Sequence, residues 1–174
     1  MTARLPEYID AFRYAEQKLS LEGVVSLMGM ARLGGSLSKK EGQVVVLLQF
    51  GEDEQKLPYL KGHLETMLVL RCQRCLEPFN YTIKTDFVLG LVRTLEEANA
   101  LPDYYEPALV EAGELAVSTI IEDELILNLP IVPKHESVHC ADHLVLTQVK
   151  GKQEEGQESN PFHVLESLKP KQQR

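Results

Sequence analysis

Cysteine is scarce in this sequence, with three in 174 residues. An odd count leaves at least one thiol outside any internal disulfide, and a chain of this length buries enough surface to fold without covalent staples. That usage fits a reducing compartment. Long apolar runs are missing too: nothing approaches the roughly 20 consecutive apolar residues of a membrane-spanning helix. The opening MTARLPEYIDAFRYAEQKL carries acidic residues where a signal peptide needs an apolar stretch, so a cytoplasmic protein without membrane contact is expected. Catalytic signatures are equally thin. No G-x-S-x-G, no H-E-x-x-H and no phosphate-cradling glycine loop occurs in the sequence.

Basic surplus, the usual mark of a nucleic-acid binder, is also absent: the formal net charge is −8. Its distribution is uneven. Residues 1–75 hold ten Lys and Arg against nine Asp and Glu, residues 76–140 hold three against twelve, and residues 141–174 hold five against five. The net acidity therefore comes from the middle of the chain, and a locally basic surface remains open elsewhere. In the plainest reading the carboxylates serve solubility.

What is present is a globular composition, 44% hydrophobic and 25% charged, enough for one domain with a real core. Ile9, Phe12, Ala15 and Leu19 recur at helical spacing after Pro6, which predicts a helix over about 6–19 that Gly23 stops. The next seventy or so residues are rich in Val, Leu, Tyr, Thr and Phe with stretches of alternation, and predict strands at 42–50, 57–72 and 79–93, with another within 23–37. LEEANALPDYYEP reads as a short helix and turn. In ELAVSTIIEDELILNLP, Val117, Ile120, Ile121, Glu124, Leu125 and Asn128 share a helical face while Glu122 and Asp123 project elsewhere, and Pro130 ends the helix. The carboxylates of that helix read as a solvated face. The fold class is α+β: an antiparallel sheet or partial barrel of about four to six strands, flanked by an N-terminal helix and a later acidic amphipathic helix. Residues 1–146 form the domain, 147–160 a polar linker, and 161–169 a short C-terminal docking helix.

The Cys72-Gln-Arg-Cys75 motif admits three readings. A redox pair needs a helix N-terminus to activate its thiolate, but MLVLRC leads into the motif and FNYTIK leads out, so it lies between two strands. A tetrahedral metal suits such a turn. The missing ligands are offered by KHESVHCADH, with Cys140 and the histidines His135, His139 and His143. A candidate structural zinc site is therefore Cys72, Cys75, Cys140 and one of those histidines, taken as His139. The plainer alternative is that the cysteines are small buried residues and the histidines are solvated.

RCQRCLEPF, LPDYYEP, IIEDELILNLPIVPKH with HC shortly after, and NPFHVLESLK follow one another in order, from about residue 5 to residue 169. Together they resemble the YceD family, the bacterial large ribosomal RNA subunit accumulation proteins. The resemblance implies a non-enzymatic protein needed for large-subunit ribosomal RNA to accumulate or be processed. It draws attention to Cys72, Arg74 and Cys75, and to Glu122, Asp123, Glu124, Asn160, Pro161 and Phe162 as partner-binding residues. Some members place a fuller set of cysteines after the acidic helix, where this chain has Cys140 flanked by histidines.

Two functional readings follow. In the first, the protein binds precursor large-subunit RNA or a pre-ribosomal particle through the sheet side, with Lys61, Arg71, Arg74 and Arg93 contacting phosphates without reading sequence. In the second, it is an acidic adaptor that meets a basic ribosomal protein or processing factor and never touches RNA. A hydrolase would need a metal-bound water or carboxylates clustered on a cleft, and the sequence displays neither.

Overall fold

Period-two alternation of apolar and polar residues dictates the centre of the molecule. The computed structural model describes residues 4–142; residues 147–169, with Asn160, Pro161 and Phe162, and His143 all lie outside the described residues. The elements are β1 (Tyr8–Asp10), α1 (Ala11–Glu16), β2 (Ser20–Ser26), β3 (Leu37–Lys39), β4 (Gln43–Glu52), β5 (Pro58–Arg71), β6 (Pro78–Val92), α2 (Leu95–Ala100), β7 (Glu106–Leu109), β8 (Glu114–Ala116) and α3 (Val117–Leu127). The chain divides into two units, Met1–Cys140 and Ala141–Arg174, and all these elements belong to the first.

A six-stranded sheet runs in the order β2-β4-β5-β6-β7, with β3 joining β5 beyond the end of β4. Its pairs are antiparallel except β6 with β7, and the sheet does not close. On its covered face lie Val44, Val46, Leu48 and Phe50 of β4 and Leu60, Leu64, Leu68 and Leu70 of β5, all buried. Val117, Ile121 and Leu125 of α3 belong to the same core. Among the described residues no helix is long and apolar enough to cross a membrane.

The α+β class and the strands at β4, β5 and β6 are as expected, and three local expectations change. The helix expected over 6–19 is shorter. Asp10 caps it, its carboxylate accepting from the Arg13 N–H at 3.0 Å, while residues 8–10 pair as β1 with β8. Lys18 turns the chain at φ 52, and Gly23 falls inside β2 instead of ending a helix. The strand expected within 23–37 breaks into β2, 3-10 turns at Leu27–Gly29 and Leu33–Gly35, and β3. Finally, β7 occupies part of what reads as a turn. Its Glu and Pro content is poor for a strand, and Pro is tolerated there because β7 is an edge.

Gly62 sits opposite Phe87 in the β5–β6 register, and a side chain on it would run into the Phe87 ring. The aromatic ring fills the space above the glycine. Gly62→Ala is therefore expected to destabilise by about 1–3 kcal/mol through overpacking. Urea midpoints check this: the cost should shrink in a Phe87→Ala background, and purely additive costs would reject the contact.

Candidate metal centre

Two neighbouring cysteines close the hairpin between β5 and β6. The turn is held by the Cys72 N–H donating to the Glu77 carbonyl and the Leu76 N–H donating to the Cys72 carbonyl, both at 2.9 Å. Leu76 adopts φ 65, a left-handed conformation that a branched residue seldom takes, and this tight bend turns both sulfurs inward. Cys72 and Cys75 are 0% and 3% exposed. The Arg74 N–H points at the Cys72 Sγ, 3.4 Å away.

The segment following α3 returns to this turn. The Gln73 N–H donates to the Pro133 carbonyl at 2.9 Å, and the Arg74 guanidinium donates to the Ser137 carbonyl at 2.8 Å. That docking lays the His135 ring on Phe79, with centroids 5.0 Å apart, and its Nδ1 3.3 Å from the Cys75 Sγ. Cys140 Sγ lies 3.9 Å from Cys72 Sγ. One donor atom each from Cys72, Cys75, His135 and Cys140 lies within 4.8 Å of the others.

These spacings match a coordination tetrahedron. Bonds of about 2.3 Å from metal to sulfur give edges of about 3.8 Å, whereas a disulfide brings its sulfurs to about 2.05 Å, and all three cysteines are free. The histidine of the group is His135, not His139. His139 is exposed, and its N–H approaches the Ser137 hydroxyl at 3.4 Å. The Gln73–Pro133 backbone bond decides between them by fixing which part of the loop meets Cys75.

Electrostatics favour a cation here. Burial by itself would push the Cys72 thiol up, but the N–H groups of Cys75, His135 and Arg74, with the Cys75 thiol, outweigh it and pull it down to about 5. The thiolate is the form that ligates metal. Burial pushes the Cys75 thiol up, against the Glu77 N–H, and the neighbouring Cys72 and Cys140 raise it further. Three crowded thiols ionise together only with a compensating positive charge. The donor set therefore suits one metal ion, and burial of Cys72 and Cys75 denies them the access that a redox couple needs.

A family model described as Large ribosomal RNA subunit accumulation protein YceD matches residues 60–169, a span that contains all four donors. The chain belongs to the YceD family. A relative from Haemophilus influenzae, named Large ribosomal RNA subunit accumulation protein YceD, is 37% identical over 171 residues, covering 97% of this chain and 98% of the relative. No solved structure matches the chain.

The acidic triplet of this YceD-family chain is not the solvated face expected of it. Glu122 and Glu124 are 9% and 7% exposed. The Glu122 carboxylate accepts from the backbone N–H groups of Arg32 and Leu33 at 2.8 and 3.0 Å and from the Arg32 guanidinium at 3.2 Å. It thereby anchors the 3-10 turn at Leu33 to α3. Asp123 pairs with the same guanidinium. Five carboxylates, including Glu124, line a groove between β7 and α3, so the structure gathers acidic groups on a cleft that the sequence does not reveal. Their oxygens do not converge on a point: among the described residues, the Cys and His donors form the one group able to hold an ion.

The four basic residues do not form one patch. Arg71 and Arg74 flank the cysteine turn, while Lys61 lies roughly 34 Å from Arg71 along β5, ten residues at the usual rise. Lys61 stands over the Tyr59 ring at 5.0 Å, and Arg93 stacks on Phe12 at 3.7 Å.

Burial alone would raise the Glu122 carboxyl, but the Leu33 and Arg32 N–H groups and the Arg32 side chain hold it below its ordinary value. A depressed folded-state pKa contributes stability above the unfolded value, about 4.3, and loses it as pH falls through the folded value. Glu122→Ala should cost at least about 2 kcal/mol at neutral pH by leaving buried N–H groups without an acceptor. It should also flatten the acid limb of the stability profile. Urea unfolding across pH 3–7 tests both, and an unchanged acid limb would remove Glu122 from this role.

Proposed function

We propose that the protein is a non-enzymatic cytoplasmic factor that supports accumulation of large-subunit ribosomal RNA by binding precursor RNA or the pre-ribosomal particle. Its Cys72, Cys75, His135 and Cys140 group is proposed to hold a structural zinc ion. The observation that carries the functional reading is the similarity to the Haemophilus influenzae relative, which extends over nearly the full length of both chains and whose name states accumulation of the large ribosomal RNA subunit. Three thiols and an imidazole are the ligands zinc prefers in closed structural sites. Bound there, it would neutralise the thiolates and fasten the segment around Pro133–Cys140 to the β5–β6 turn. Arg71 at that turn, with Lys61 further along β5, supplies cations for phosphate contacts that need no sequence readout.

The second reading, an adaptor for a basic protein, is favoured by one feature: the carboxylate-lined groove between β7 and α3. Acidic surface repels phosphate and attracts cationic polypeptide.

Protein purified without chelator or a histidine tag should carry about one zinc per chain by mass spectrometry of metals. Cys75→Ser and His135→Ala should lose it and His139→Ala should keep it. Wild-type protein with far less zinc than one per chain ends the zinc assignment. The protein should also co-sediment with precursor large-subunit particles at low salt and leave them as salt rises, since each phosphate contact releases counterions. Absence of association at the lowest salt refutes direct binding, and retention on a protein partner after nuclease digestion selects the adaptor.

A further inference from the structure

The groove between β7 and α3 has about 440 Å³ of space and is lined by Glu106, Glu111, Glu114, Asp123 and Glu124, with no Lys, Arg or His among its described lining residues. These are five of the twelve acidic residues that make the segment 76–140 so negative. Asp123 is ion-paired with Arg32. The other four have no ion-pair partner among the described residues.

Glu124 is the telling member. It is 7% exposed and lines the groove; its backbone carbonyl accepts from Asn128, while no hydrogen bond or ion pair among the described residues reaches its carboxylate. Its oxygens keep contact with the groove's solvent, since no fully buried side-chain oxygen lacks a partner among the described residues, but a carboxylate on so largely buried a residue still carries a desolvation cost. Burial, then the charges of Glu106 and Asp123, accordingly push its pKa up. A cation entering the groove would relieve all three effects. The carboxylate oxygens do not gather closely enough for one metal ion, so a string of separated positive charges fits better. Leu109 and Leu127, 44% and 70% exposed, line the same groove and offer apolar contact between those charges. The whole of β7 contributes to the wall, and β7 ends the sheet. Its four residues match about four residues of an extended chain.

We propose that this groove binds an extended lysine- or arginine-bearing segment of a partner protein, with Glu124 receiving one of its side-chain cations. The assignment rests on the adaptor reading, to which it gives a place and a partner chemistry. Nucleic acid is the disfavoured occupant, because the lining carboxylates repel phosphate.

The test uses the full chain and a fluorescent synthetic peptide of alternating lysine and valine, followed by anisotropy at low salt. Glu106→Gln with Glu124→Gln should weaken binding about tenfold or more, the loss of close charge pairs. The charge-matched control, Glu16→Gln with Glu54→Gln at exposed sites off the groove, should change it less than about twofold. Should the groove variant melt early, Glu111→Gln with Glu114→Gln, both exposed, takes its place and should weaken binding likewise. No peptide binding, equal weakening by the control, or displacement of the peptide by polyuridylate that depends on Glu124 would each overturn the proposal. Failure here leaves nuclease-resistant retention on a protein partner, and with it the adaptor reading, standing, and failure of that retention leaves the peptide result intact.

Discussion

A slip of one residue between β5 and β6 would turn every side chain of one strand onto the opposite face of the sheet. The thirteen Cα partners from Tyr59 with Gly90 to Arg71 with Pro78 forbid it, and much else follows from that register. At one end the pairing delivers Cys72 and Cys75 to a closed turn. At the other, the last four residues of β6 take β7 in parallel along the edge away from β5, which sets the wall of the acidic groove. The phenyl ring of Phe87 on Gly62 marks the register at the fourth pair from the Tyr59 end, where a bulkier residue on β5 would not fit.

Three buried acidic groups show how the fold handles negative charge. Cys72 and Glu122 both face a desolvation cost, and both are met by backbone N–H groups: Arg74, Cys75 and His135 around the sulfur, Arg32 and Leu33 around the carboxylate. N–H donors of this kind are fixed by the backbone and cost no side-chain ordering, so they suit sites that must stay in place. Glu124 has no such cradle. The contrast separates two acidic groups met by backbone N–H donors of this chain from one whose side chain has no partner among the described residues.

Much of this could be read in the sequence because alternation over β4, β5 and β6 is local, and so is the position of C-x2-C between two strands. The helix at α3 was legible for the same reason. What escaped depends on partners far along the chain. β1 exists only through β8, and Glu122 finds Arg32 and Leu33 some 90 and 89 positions away. The choice of His135 over His139 follows from a backbone bond between Gln73 and Pro133. Periodicity has no access to such pairs: on α3 it sets Glu124 on the apolar face, where it is indeed buried, but it turns Glu122 away from that face, although Glu122 is buried too.

Cys72 and Cys140 stand 68 positions apart, and the stretch between them contains β6, α2, β7, β8 and α3. A link joining those sulfurs would close a loop of that length, which by chain-entropy reasoning removes about 4 kcal/mol of freedom from the unfolded ensemble. Were a metal ion to join them, the corner that reads as a local ornament of one hairpin would become the clasp on nearly half of the folded unit, and it would act most strongly on the unfolded chain.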